Sequence, residues 1–177
     1  MPVIFTKRYQ HFAYHLFMDV TEFTLTNQND DHFMQMAMRE AEKALEANEV
    51  PIGAVIVHEN RIIGRGHNLT ERLQDPTAHA EMIAITAAAA SLGSRRLLDC
   101  TMYVTLEPCS MCAGAIVLAR VPRLVYAATD PKAGACGTLY NIAHDTRLNH
   151  RCQITSGIQH EESAMILRSF FAKIRKN

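Results

Sequence analysis

Cys109 and Cys112 stand three residues apart directly behind Pro108, and a histidine, His79, lies upstream. Proline suits the opening turn of a helix, where its missing N–H has no intrahelical partner, and a spacing of three puts both thiols on one helix face. Two thiolates and an imidazole are donors of the kind that bind zinc. With three protein ligands zinc keeps its fourth position open for water, which is the layout of a catalytic rather than a structural site. Glu81 follows His79 by two residues, a spacing that does not share a helix face, so it is expected to carry protons rather than to be a fourth ligand.

The charges make that base necessary. Two thiolates and one neutral imidazole cancel the charge of Zn²⁺, so the metal acidifies its water less than a three-histidine site does. Helix N-termini lower a thiol's pKa, and both ligand segments are expected at such termini. Each fragment alone is ambiguous. A lone Cys-x-x-Cys is as often a structural half-site or a redox pair, and a lone His-x-Glu is usually a polar helix start. A structural zinc site would complete itself with a fourth Cys or His. Cys100, Cys136 and Cys152 lack the spacing for that and read as small buried residues.

With 177 residues, 48% hydrophobic and 20% charged, the chain is expected to form one domain with a proper core. Lys+Arg and Asp+Glu number 18 each, so nucleic-acid contact would need a local patch, and charge alone favours a small-molecule enzyme. Five cysteines without a secretory signal point to a reducing compartment, and the longest apolar run, near Ala84 to Leu92, is too short to span a membrane. The expected location is the cytoplasm, with no membrane partner. Residues 1–28 share no period with the rest and read as a poorly ordered extension, or as the product of a start upstream of Met18. Residues 29–177 read as the single domain.

The elements that must position the site follow in order. Asp30 and Asp31 suit a helix start, with Phe33, Met34, Ala37, Ala41, Ala44 and Leu45 at helical spacing and Asn48 as its stop. A hairpin follows, from Ala54–Val57 through Glu59-Asn60 to Arg61–Ile63, where Gly64 and Gly66 allow another backbone close. Asp75 or Thr77 is expected to cap a helix that carries His79 and Glu81 and ends at Gly93. Strands are expected at 102–106, 124–128 and 153–155. The helix behind Pro108 is expected to pack Ala113, Ile116, Val117 and Leu118 inward. A short helix is expected at Thr138–Ala143. The last helix, about 161–174, is expected to pack Met165, Ile166, Leu167, Phe170 and Phe171. This order predicts an α/β class with a mixed sheet layered against helices.

His79-Ala80-Glu81 with Pro108-Cys109-Ser110-Met111-Cys112 resembles the signature of the zinc-dependent nucleoside and cytidine deaminase superfamily, whose general mechanism is known. Glu49 through Val55, Asp75 through Glu81, Thr105 through Ala115 and Asp130 through Ala135 narrow the resemblance to the bacterial tRNA-specific adenosine deaminases, over nearly all the chain from Asp30. The resemblance implies a three-layer cytidine-deaminase-like fold, a five-stranded mixed sheet between helices. It implies one Zn²⁺ per subunit on His79, Cys109 and Cys112, a homodimer, and a tRNA anticodon stem-loop as partner. The implied reaction is hydrolytic deamination of the wobble adenosine to inosine by zinc-activated water, with Glu81 as proton shuttle.

Asn68 and Ala80 match base-contacting positions, Asp130 and Lys132 a loop near the flanking RNA, and Asn149 and Phe170-Phe171 further substrate-contacting segments. At least one of the two phenylalanines is expected in the core by periodicity. The basic tail Lys173, Arg175 and Lys176 could meet phosphates. His67 stands where relatives can carry tryptophan, which would alter the pocket wall. Two other readings share the chain: a deaminase of a free base or nucleoside of guanine or cytosine type, and an inactive zinc-binding RNA-recognition subunit. Retention of Glu81 argues against the second.

Overall fold

Helix α1 (residues 29–46) turns Phe33, Met34, Ala37, Ala41 and Ala44 inward and stops where Asn48 enters the left-handed region at φ 59°, which asparagine tolerates better than most residues. The computed structural model describes residues 29–175; the extension 1–28, Met18 within it, and Lys176 of the basic tail lie outside the described residues. Strands β1 (Gly53–His58) and β2 (Arg61–His67) pair as an antiparallel hairpin. Its two turn residues, Glu59 and Asn60, have φ of 48° and 58°, the handedness a two-residue hairpin loop demands.

Strands β3 (Cys100–Leu106), β4 (Arg123–Ala128) and β5 (Gln153–Ser156) complete a sheet of order β2-β1-β3-β4-β5. The pairs β2–β1 and β1–β3 are antiparallel while β3–β4 and β4–β5 are parallel, so the sheet is mixed as expected. Alternation along the strands sends Ala54, Ile56, Met102, Val104 and Leu124 to one face and Val55, Val57, Tyr103, Val125 and Ala127 to the other. Helices α3 (Ala80–Leu92) and α4 (Ser110–Ala119) cover the first face, and α1 covers the second. Helix α5 (His160–Ile174) adds Leu167 and Phe170 to the core. The result is a three-layer α/β fold.

Two close approaches set the height of α3. A Cβ on Gly64 would lie 2.4 Å from the Ala84 carbonyl oxygen, and one on Gly66 would lie 2.2 Å from that of Ala80. Only glycine lets the helix rest directly on β2.

Several local expectations are corrected. Asp75 does not cap α3; its Oδ1 accepts from the Thr77 N–H (2.8 Å) and hydroxyl (2.7 Å), closing a separate turn, and His79 takes the N-cap position. A short helix, α2 (Thr70–Leu73), precedes that turn with no forewarning in the hydrophobic pattern. Pro108 lies one residue outside α4, whose N-cap is Cys109. Leu118 is 76% exposed, because it sits about 140° round the helix from Ala113. Met165 and Phe171 also face outward, since the buried stripe of α5 runs through Ser163, Leu167 and Phe170. In place of a helix at Thr138–Ala143 there is one 3₁₀ turn at Ile142–His144. Asp30, in the first described turn of α1, also reaches the sheet face that α1 covers: its carboxylate accepts from Arg123 (2.6 and 2.7 Å) and from the Tyr103 hydroxyl (2.8 Å). Among the described residues no helix is long and apolar enough to cross a membrane.

Candidate metal centre and active site

The sheet brings two helix starts together. His79 is the N-cap of α3 and Cys109 the N-cap of α4, both in extended backbone conformation, with Cys112 one turn into α4. His79 Nδ1 lies 3.7 Å from Cys109 Sγ and 3.6 Å from Cys112 Sγ, and the three donor atoms all fall within 4.8 Å of one another. A tetrahedral ion with bonds of about 2.3 Å to sulfur and about 2.0 Å to nitrogen would hold those donors about 3.6 Å apart. The donor set and its dimensions fit a bound divalent metal of the zinc type. Cys100, Cys136 and Cys152 are buried free thiols outside the cluster, and Glu81 is not one of its donors.

Hydrogen bonds from Cys112 and His79 pull the Cys109 thiol down to about 3 against the effect of burial. Cys112 is pushed up, first by its hydrogen bond with Cys109 and then by burial. A bound cation favours both thiolates. His79 is raised by its contact with Cys109, with burial opposing. Glu81, 4% exposed, is raised by burial, while its own backbone N–H and the charge of His79 pull the other way. A buried carboxyl pushed toward neutrality beside a metal-binding cluster has the properties of an acid–base group.

The other sequence-predicted residues divide into near and far. Asn68 is buried just beyond β2, and the next residue, Leu69, donates its N–H to Ala78 (3.0 Å), which brings Asn68 beside the His79 segment. Its Nδ2 donates to Thr70 Oγ1 (3.1 Å) and Glu49 Oε2 (3.5 Å). Ala80 is fully buried at the first position of α3. Asp130 Oδ1 accepts from the N–H groups of Lys132 (2.8 Å) and Ala133 (3.2 Å), leaving Lys132 exposed. That loop is fastened to the cysteine turn, since Ala135 donates to the Pro108 carbonyl at 2.9 Å.

Asn149 is exposed, and its carbonyl accepts from Arg120 at 2.6 Å. Phe170 is buried and lines a cavity of about 520 Å³ with Leu45, Met165 and Ile174, whereas Phe171 is 44% exposed. Among the described residues no hydrogen bond links Asn149, Phe170 or Phe171 to the cluster. His67 does not form a wall of this site: its Nδ1 lies 3.6 Å from Glu40 on α1, across the sheet, because it alternates with Gly66, which faces α3.

Besides Glu40 on α1, two buried glutamates escaped the sequence reading. Glu49, 1% exposed, accepts from the backbone N–H groups of Glu71 (3.1 Å) and Arg72 (2.7 Å), capping α2 from a distance while touching Asn68. Glu107, 2% exposed, accepts from the Asp130, Cys136 and Thr138 backbones. The signal available was a carboxylate flanked by apolar residues and proline, which says that something must satisfy it but not what.

The MafB19-like deaminase family matches residues 28–175. The tRNA-specific adenosine deaminase of Bacillus subtilis (strain 168) is 50% identical over 147 residues, which cover 83% of this chain and 91% of that protein. A solved structure from work on A-to-I editing by tRNA:A34 deaminases at the wobble position of transfer RNA matches with a TM-score of 0.74 at 48% identity, over 77% of this chain and 99% of that one. Guanine deaminase from Bacillus subtilis matches with a TM-score of 0.55 at 33% identity, over 78% of this chain and 92% of that one. Identity at half the aligned positions, over 83% of this chain and 91% of that protein, shows that the chain belongs to the tRNA-specific adenosine deaminase family.

Proposed function

We propose that this chain hydrolyses the wobble adenosine of a tRNA anticodon loop to inosine. The observation that carries the reading is the His79–Cys109–Cys112 cluster with the buried carboxyl of Glu81 beside it, on a chain 50% identical to a tRNA-specific adenosine deaminase. His79, Cys109 and Cys112 hold one zinc ion per subunit. Zinc bound there supplies a Lewis acid that activates water. Glu81 takes a proton from the attacking water and passes protons to the adenine ring and the departing amine. The C6–O bond forms, the C6–N bond breaks, and ammonia leaves.

Asn68 and Ala80 hold the base. The first-turn N–H groups of a helix have no intrahelical partner, so the Ala80 N–H is available to a ligand at the start of α3. Asp130, Lys132, Asn149 and the Phe170-Phe171 pair contact the anticodon stem-loop, with exposed Phe171 meeting the RNA and buried Phe170 backing it. An anticodon loop is single-stranded, so presenting one base to a pocket is inexpensive. The protein works as a cytoplasmic homodimer with no membrane partner. Residues 29–177 form the deaminase domain, and residues 1–28 are an extension it does not need; the family match beginning at residue 28 supports that boundary.

A neutral net charge favours a free-base deaminase, yet the likeness to a guanine deaminase, at 33% identity, is weaker than that to the tRNA enzymes. The deciding experiment is deamination of an unmodified tRNA carrying wobble adenosine, read by sequencing, beside free adenosine, guanine and cytosine. Inosine at that one position with the free compounds untouched is expected. Ammonia from a free base and none from tRNA would overturn the reading.

A further inference from the structure

Glu107 occupies the joint between β3 and the cysteine turn, and its carboxylate is almost without solvent contact at 2% exposure. It accepts from the backbone N–H groups of Asp130 (3.1 Å), Cys136 (3.0 Å) and Thr138 (3.0 Å), and from the Thr138 hydroxyl. All of these donors belong to one loop, residues 130–138, between β4 and the 3₁₀ turn. A Cβ on Gly134 would lie 2.4 Å from Glu107 Oε2, so the loop closes round the carboxylate only because that position has no side chain. Further bonds join the same loop to the cysteine turn: Ala135 donates to Pro108, and Cys109 and Gly134 form an isolated bridge.

A buried carboxylate satisfied by donors from one loop is a device for orientation. Packing does not require it, since an apolar side chain would fill the space without the desolvation cost. Metal binding does not require it either, because Glu107 is not among the donors of the cluster.

We infer that Glu107 is a positioning residue that fixes the loop bearing Asp130 and Lys132 in one place relative to Cys109, so that the metal centre and the RNA-contacting loop meet the substrate as a single unit. The inference rests on the tRNA reading, in which Asp130 and Lys132 contact RNA. Replacing Glu107 by Gln keeps the shape but turns an N–H₂ donor against N–H donors, which should free the loop without touching the zinc ligands.

The test uses the full-length zinc-loaded protein and its Glu107→Gln, Thr138→Val and Thr138→Ser variants. Zinc content, kcat and KM on tRNA, and amide exchange across residues 130–138 are measured. Glu107→Gln is expected to keep its zinc, to raise KM by about tenfold or more, and to change kcat by less than about threefold. Thr138→Val should give a smaller shift of the same kind, and Thr138→Ser should restore wild-type behaviour. Lys132→Ala, which weakens binding alone, should add little in the Glu107→Gln background, because both changes act through one loop.

Loss of zinc, a fall in kcat at unchanged KM, or full additivity with Lys132→Ala would overturn the inference. If Glu107→Gln does not fold, the KM shift in Thr138→Val and its absence in Thr138→Ser decide the matter. A wild-type protein inactive on tRNA would defeat the functional reading instead. In that event protection of the Cys136 and Thr138 amides, lost in Glu107→Gln, still establishes the positioning role, and unchanged protection refutes it.

Discussion

His79 Nδ1 lies 3.6 Å from Cys112 Sγ although 33 residues of chain separate them. The approach depends on α3 and α4 covering the same face of the sheet with their N-termini converging. It also depends on Gly64 and Gly66, whose missing side chains let α3 sit on β2.

If that convergence holds a metal, Cys109→Ala and Cys112→Ala should each abolish stoichiometric zinc by elemental analysis. A ligand that binds only the folded state at about a thousand times its Kd stabilises by about 4 kcal/mol. Chelation should therefore lower the melting temperature of the wild type and leave the variants nearly unaffected. Full zinc occupancy in either variant would refute the ligand assignment.

Glu81→Gln should retain zinc and reduce turnover by about 10²-fold or more. Burial holds the Glu81 carboxyl above its ordinary value of 4.5, so the base form fills only above that raised value. Wild-type turnover should accordingly fall as pH drops through the raised value. A pH–rate profile whose acid limb lies at or below 4.5 would show that Glu81 is not raised in the working enzyme, whereas full turnover in Glu81→Gln would contradict the shuttle role.

Glu107 titrates in the opposite sense. Burial pushes its carboxyl up, but the Thr138 hydroxyl and the N–H groups of Thr138, Asp130 and Cys136 outweigh this and hold it below 4.5. Between the two values the unfolded chain binds more protons than the folded one, so this stability is complete above the unfolded value and is lost as pH falls through the folded one. Acid unfolding followed by circular dichroism should be less steep below pH 4.5 in Glu107→Gln than in the wild type.

Arg123→Ala should cost about 3–5 kcal/mol in urea unfolding, because among the described residues it leaves the buried Asp30 carboxylate with the Tyr103 hydroxyl alone. An added Asp30→Asn change should recover part of the loss, since it removes the uncompensated charge. Equal stability of the single and double variants would show that the charge is hydrated after all.

Deletion of residues 1 to about 25 should leave kcat and KM on tRNA unchanged. The family match begins at residue 28, which motivates this expectation. A large loss of activity would mean that the extension takes part in the site.

Local chemistry and periodicity made much of the chain legible. The Glu59-Asn60 turn, the Asn48 and Gly93 helix stops and the thin strand at Gly64 and Gly66 depend on the residue and its immediate neighbours, so they can be read in one dimension. The proposed metal-binding residues were legible as types and spacings, which restrict the metal chemistry open to them, though their meeting across 30 residues is set by the fold.

Tertiary structure decided what depends on partners distant in sequence. Asp30 was legible as part of a helix start, but its pairing with an arginine 93 residues away was not. Leu118, Met165 and Phe171 carry apolar side chains like their buried neighbours, and which stripe of each helix the fold buries leaves them outside it. Glu49 and Glu107 are the plainest cases: a buried carboxylate announces a need for donors, but the donors arrive from segments 19 to 31 residues further along the chain. Periodicity records which face of an element is apolar, whereas hydrogen-bond satisfaction across a fold is a property of three dimensions.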